Sequence, residues 1–187
     1  STDLLATFTA QREAFLSEGK PSLDVRRNRI DRLLLAVLSV ADELAAAQSD
    51  DYGYRPEAMT VSTMANLPGM VAYVSSQLER WMQPVDVPDA VVPTFVESQP
   101  LGVVGIIGPW NFPLSLVVQP AVEALAAGNR VMIKYSDYAP HSGRVFAKAI
   151  ADTFSPEEFV VVEGGPEVAS EFSSLPFDHI LFTGSPS

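Results

Sequence analysis

From Leu101 onward, short β-branched runs alternate with helical patterns, and this alternation constrains the fold more than any other feature of the chain. "GVVGII" reads as a strand, "PLSLVVQPAVEALAAG" as a helix closed by Gly128 at its C′ position, and "RVMIK" as a second strand. "HSGRVFAKAIADTF" reads as a helix, "FVVVEG" as a strand, "EVASEFSSL" as a short helix and "HILFTGS" as a fourth strand. Strands separated by helices are joined by crossovers rather than hairpins, so they lie parallel, with right-handed connections. The runs are apolar at consecutive positions, as a sheet covered on both faces requires. The expected class is therefore α/β, with a partial doubly wound parallel sheet. No helix follows the last strand within the 187 residues, so its apolar face lacks a cover and the sheet is expected to be incomplete, a chain cut rather than finished.

The first half reads as helices. Residues 1–18 form a short amphipathic helix. From Ser22, a natural N-cap, to Ser49, apolar Leu23, Ile30, Leu33, Leu34, Val37, Leu38, Ala41, Leu44 and Ala45 recur at helical spacing and predict one helix. Arg26, Arg27, Arg29 and Arg32 fall mostly on its other face and are expected to be solvated, because a basic binding patch needs a net basic domain. A further helical stretch runs from Pro56 to Met82, with a bend expected near Pro68-Gly69. "PVDVPDAVVPTFVESQP" changes character, and its prolines and valine–acid alternation predict an extended connector with an edge strand. The expected organisation is a helical segment over 1–83, a connector over 84–100, and a partial nucleotide-binding α/β domain, an incomplete Rossmann-like one, over 101–187.

A formal net charge of −11 argues against nucleic acid and anionic membrane as partners. No basic segment leads into an apolar one at the start, and the apolar runs are too short to span a bilayer, so the expected setting is the cytoplasm. With no cysteine among the 187 residues there is no disulfide, no thiolate metal site and no cysteine nucleophile in this chain. The two histidines, His141 and His179, are far apart in sequence, and no metal is expected.

In an open parallel sheet, ligands bind beyond the carboxyl ends of the strands. Here those ends carry four features. The first strand delivers "GPWNFP", in which Asn111 is fenced by prolines and aromatics. The others end at Lys134, at Glu163-Gly164-Gly165 and at Thr183-Gly184-Ser185. Taken singly, Lys134 reads as a solvated strand end, the glycine pair as a simple turn, Asn111 as a turn residue and His179 as structural. Together on one rim they describe a nucleotide crevice, with a lysine for ribose or phosphate and glycines for close backbone approach. Neither standard phosphate-binding glycine fingerprint is present.

"PLGVVGIIGPWNFPL", "ALAAGNRVMIK" and "LPFDHILFTGS" resemble segments of aldehyde dehydrogenases, most closely the bacterial coniferyl aldehyde dehydrogenase type, in the same order and each at a strand end. The similarity covers essentially the whole chain and corresponds to the N-terminal portion of such an enzyme. It implies that Asn111 is the amide holding the oxyanion formed when a cysteine thiolate adds to an aldehyde carbonyl. It implies that Ile107, Pro109 and Trp110 line the nicotinamide side of a cofactor channel and that Lys134 bonds the adenosine ribose. It likewise assigns Gly164 to the adenine side, and Gly184 with Ser185 to the start of the pyrophosphate turn. The implied cofactor is NAD or NADP, the substrate a small (aromatic) aldehyde such as coniferyl aldehyde, and the full-length enzyme a homodimer.

Three departures stand out. Tyr135 replaces the family's Pro, and Asp137 its Glu, in a "KPSE" motif; the carboxylate at 137 still disfavours a 2′-phosphate and leans to NAD. Pro186-Ser187 does not continue the family's usual turn. The nucleophilic cysteine and the glutamate base of the family lie beyond Ser187, so the chain alone is expected to be inactive. The alternative is a truncated remnant that binds nucleotide weakly or only packs against a partner.

Overall fold

The computed structural model describes residues 3–185, so Pro186 and Ser187 lie outside the described residues. Local capping sets the first two helices. Asp3 Oδ1 accepts from the Ala6 N–H at 2.9 Å to start α1 (Leu4–Glu18), and Ser22 Oγ accepts from the Val25 N–H at 3.3 Å to start α2 (Leu23–Ser39). The single helix expected over 22–49 is in fact two. At Val40 (φ −118, ψ 23) the backbone leaves helical geometry, and α3 (Ala41–Tyr52) begins with Asp42 and Glu43 in its first turn, where carboxylates favour the positive end of the helix. The apolar spacing does not register this break, because Leu33, Val37 and Leu44 stay buried on either side of it.

Gly53, with φ +71, ends α3 in the left-handed region and reverses the chain. Two helices follow, α4 (Glu57–Met64) and α5 (Leu67–Trp81). Their break falls at Ala65-Asn66 rather than at Pro68-Gly69, since Pro68 sits in the first turn of α5, where a missing N–H costs nothing. The connector is extended and carries two short strands. Its strands β1 (Val85–Asp86) and β2 (Phe95–Val96) pair antiparallel with each other as an exposed ribbon, and neither is an edge of the main sheet.

The main sheet holds β3 (Val103–Ile107), β4 (Arg130–Lys134), β5 (Phe159–Val162) and β6 (His179–Phe182), with α6 (Ser115–Ala126), α7 (Pro140–Ala151) and α8 (Pro166–Ser173) between them. All pairings are parallel, in the order β5-β4-β3-β6. The chain builds outward from β3 to β5 and then returns to the other side of β3, so the strand order reverses between β3 and β6. Gly128 closes α6 as the sequence predicts. Its φ is +94, its N–H donates to Leu125 O, and the Asn129 N–H donates to Ala124 O, both at 3.0 Å, the paired bonds of a Schellman motif. Buried Asn129 then accepts from the Leu101 and Gly102 N–H groups at 2.7 and 3.0 Å, which ties the entries of β3 and β4 together.

Alternate residues of the central strands feed opposite layers. Val104, Ile106 and Ile133 join a cluster with Ile30, Leu33 and Val37 of α2, Val71 and Leu78 of α5, Val117 and Leu125 of α6 and Phe146 of α7. Val103, Met132 and Val162 pack with Leu4 and Phe8 of α1 and with Phe172 of α8. The helices of the first half thus share one core with the sheet. At the β6 edge Ile180 and Phe182 remain exposed, as the uncovered last strand implies.

The arginines overturn the expectation of a solvated face, for Arg26 and Arg29 are each only 3% exposed. Arg26 donates to Ala127 O at 2.9 Å and Ala126 O at 3.2 Å, placing a cation on the negative C-terminal end of α6. Arg29 is held between Glu18 (2.8 Å) and Glu158 (3.1 Å), Arg130 also bonds Glu18 (2.7 Å), and Arg32 bonds Glu158 (2.9 Å). Buried guanidinium groups require such partners, and Glu18 and Glu158 lie outside α2, beyond the reach of a periodicity argument.

Candidate active-site crevice

The sheet ladder runs to its upper rim. The Gly108 N–H donates to Lys134 O at 3.2 Å, the Tyr135 N–H to Val162 O at 3.0 Å and the Thr183 N–H to Ile107 O at 3.1 Å. The segments that follow these bonds lie where the strand order reverses, the place where open α/β sheets bind ligands. A crevice of about 500 Å³ opens there, walled by Gly108–Asn111, Ser136–Tyr138 and Phe182–Ser185. A second hollow of about 290 Å³, lined by Glu163, Gly164, Gly165 and Arg144, shares Ser136 and Asp137 with it. A further, mostly apolar concavity beside Met70 and Trp81 lies against the C-terminal end of α6, away from the strand carboxyl ends.

Pro109, Trp110, Asn111, Asp137, Gly184 and Ser185 line the larger crevice, and Gly164 with Asp137 lines the smaller hollow. Ile107, the last residue of β3, is partly buried against the α1 and α8 layer and lines neither. Lys134 does not join the rim. It is 3% exposed, lines neither hollow, and its Nζ donates to Tyr135 O at 2.7 Å. Desolvation lowers its pKa, against the raising influence of Asp137 and Glu163. The amide therefore lies on the crevice wall while the ammonium lines neither hollow, and the two do not open onto one groove. His179 is exposed at the entry of β6, the end of that strand away from the crevice.

Asn111 is exposed, so its amide escapes the desolvation cost expected for a buried one. Its Oδ1 accepts from the Phe112 N–H at 3.0 Å, which orients the side chain and leaves Nδ2 as its donor end. The turn is gripped from behind by residues that sequence reasoning missed. The Tyr52 hydroxyl donates to Trp110 O, and Arg55 Nη1 donates to Asn111 O at 3.0 Å. The Arg55 guanidinium lies 4.8 Å from the Tyr52 ring centroid and 5.2 Å from that of Phe112. One residue earlier, Asp51 Oδ1 accepts from the His141 N–H at 2.7 Å and Oδ2 from the Ser142 N–H at 2.9 Å, capping α7 from outside. The only sequence signal was a Tyr–Gly–x–Arg–Pro cluster at a helix end, which carries no hint of where it docks.

Tyr135 turns inward and is 1% exposed, with its hydroxyl 3.3 Å from Ser142 Oγ and its ring against Phe146. Burial pushes its phenol well above the ordinary range. Gly143 makes the room, since a Cβ there would come within 3.0 Å of the Tyr135 ring. Gly164, at φ +141, admits no side chain either: a Cβ would fall 2.6 Å from Val168. Among the described residues no group of three or more His, Asp or Glu side chains is arranged to hold a metal, and no helix is long and apolar enough to cross a membrane.

Comparison with known proteins gives these positions a context. The sequence profile described as "Aldehyde dehydrogenase family" matches residues 1–187. A probable coniferyl aldehyde dehydrogenase of Caulobacter vibrioides is 38% identical over 185 residues, covering 95% of this chain and 38% of the relative. A coniferyl aldehyde dehydrogenase of a Pseudomonas species is 38% identical over 179 residues, covering 92% of this chain and 37% of the relative. Among solved structures, the substrate-bound state of Staphylococcus aureus AldH superposes with a TM-score of 0.89 at 27% identity, covering 99% of this chain and 41% of that one. The chain thus spans well under half the length of the proteins it matches.

Proposed function

Because this chain belongs to the aldehyde dehydrogenase family, we propose that it forms the N-terminal part of an enzyme that oxidises an aromatic aldehyde, of the coniferyl aldehyde kind, to its carboxylate with a nicotinamide dinucleotide as acceptor. The observation that carries this reading is the placement of the Asn111 amide on the wall of a crevice at the strand-order reversal. The two hollows joined at Ser136 and Asp137, about 500 and 290 Å³, suit a ligand with two lobes. Trp110 and Pro109 would flank one lobe, with Gly184 and Ser185 at its far wall, and Gly164 would border the other. Asp137 and Glu163 line the smaller hollow with Arg144, and a carboxylate at 137 favours a ribose hydroxyl over a 2′-phosphate and hence NAD over NADP. In this arrangement Lys134 supports the rim through the Tyr135 carbonyl to which its Nζ donates.

A nicotinamide held between Pro109 and Trp110 on one side and Gly184 and Ser185 on the other would supply the hydride acceptor for this oxidation. The chain's own contribution is electrostatic. As a thiolate adds to the aldehyde carbonyl, negative charge grows on oxygen, and an amide already held in place by the Phe112 N–H has no reorganisation to undergo. Loss of one such donor lowers the rate about 10²–10³-fold in comparable sites. The thiolate must come from outside these 187 residues, which contain no cysteine.

The test has two arms. Calorimetric titration of the 187-residue chain should detect NAD, and NADP more weakly; no heat at millimolar NAD rejects the crevice as a cofactor site. In the longer protein that carries the nucleophile, Asn111→Ala should cut kcat about 10²–10³-fold at little-changed cofactor affinity. Undiminished turnover of coniferyl aldehyde would reject the oxyanion role.

A further inference from the structure

We propose that the segment Asp51–Arg55, where the N-terminal helices reach the sheet, is a positioning strap that sets the distance between the two walls of the crevice. The inference rests on the reading of Asn111 as the oxyanion donor. From one short stretch, the Tyr52 hydroxyl and Arg55 Nη1 bind the carbonyls of Trp110 and Asn111 on one wall. The Asp51 carboxylate binds the first N–H groups of α7, which follows the 136–138 wall. None of the three residues lines the crevice itself.

The strap is built to be stiff. Gly53 at φ +71 turns the chain so that Tyr52 and Arg55 meet the same turn from adjacent positions. Arg55 is 8% exposed and lies against two aromatic rings, so it has little room to swing. Its grip matters because Asn111 sits on an exposed loop whose backbone carbonyls at 110 and 111 are bonded from the strap. Without it, only the bonds at the loop's two ends would fix the amide relative to the opposite wall. A displacement of about 1 Å at a reacting centre is enough to cost on the order of 10² in rate. Tyr52, Arg55 and Asp51 are therefore positioning residues, acting through the turn and the helix end that they hold.

Backbone ¹⁵N relaxation on the ligand-free 187-residue chain tests this without reference to catalysis. Wild-type amide order parameters at Trp110, Asn111 and Phe112 should be near the rigid value of about 0.85 and should fall below about 0.6 in Arg55→Met. Tyr52→Phe, which keeps the ring and removes one bond, should give a smaller drop, and Arg55→Lys should recover most of the order. Unchanged values in both Arg55→Met and Tyr52→Phe, or a drop spread equally over β3, β4 and α7, would overturn the strap. In the longer enzyme, Arg55→Met should lower kcat about 10–100-fold with the KM for cofactor within about 2-fold; equal losses in both would likewise overturn it. If the wild-type chain shows the expected local order but binds no NAD, the proposed function fails while the mechanical role of the strap stands.

Discussion

Replacing Glu158 with Gln should destabilise the chain in a pH-dependent way that its geometry specifies. Its Oε1 accepts from Arg29 Nε at 3.1 Å and Arg32 Nη2 at 2.9 Å, and its Oε2 from Arg32 Nη1 at 3.0 Å. The pair is partly buried, with side-chain exposures of 20% for Glu158 and 4% for Arg29. Breaking a fully buried pair costs about 3–5 kcal/mol because a charge is stranded. Here Arg29 keeps Glu18 and Arg32 keeps Asn28 and the Thr153 carbonyl, so the loss should sit near the low end, about 3 kcal/mol. For a chain of this size that is a fall in Tm of roughly 6–12 °C.

The dependence on pH follows from the carboxyl's own titration. Burial alone would raise the Glu158 pKa, but the hydrogen bonds and charges of Arg32 and Arg29 outweigh it and hold the group below its ordinary value of 4.5. A depressed folded-state pKa gives stability that is complete above the unfolded-state value and is lost as pH falls through the folded one. Urea unfolding of both proteins at pH 7, 5, 4 and 3 should therefore show a wild-type advantage that shrinks in the acid samples. An advantage that stays constant from pH 7 to 3, or a Tm difference below about 1 °C at pH 7, would refute the reasoning.

Two further outcomes follow from the packing. Gly128→Ala should cost on the order of 2 kcal/mol by thermal melting, because an L residue is strained at φ +94 and its Cβ would lie 3.0 Å from the buried Arg26 guanidinium. Tyr135→Pro should lower stability by roughly 4 kcal/mol in urea unfolding. It empties the space beside Gly143 and removes the N–H bonded to Val162 O, so a neutral effect would show that this tyrosine is not structural.

The parallel sheet was legible because its signals are local. Runs such as "RVMIK" and "FVVV" are apolar at consecutive positions and bounded by helix caps, and Gly128 marks one helix end within a residue. The residues at the strand ends followed from the same pattern, since a strand's carboxyl end is fixed once the strand is, but which of them open onto the crevice did not: Lys134 and Ile107 line neither hollow. The break at Val40 was not legible, because both flanking helices bury their apolar residues at spacing that a single helix also satisfies.

What the amino-acid order determined by itself was therefore the succession of elements and the identity of the residues at the strand ends. The tertiary structure alone decided which side chains those ends bring together. It sent Arg26 and Arg29 inward to carbonyls and carboxylates supplied by distant segments, kept Lys134 buried while Asn111 stayed on the crevice wall, and brought Tyr52 and Arg55 behind that wall. The physical reason is that periodicity reports whether a residue faces water or protein, whereas a buried charge or a gripped turn depends on a partner that only the folded chain supplies.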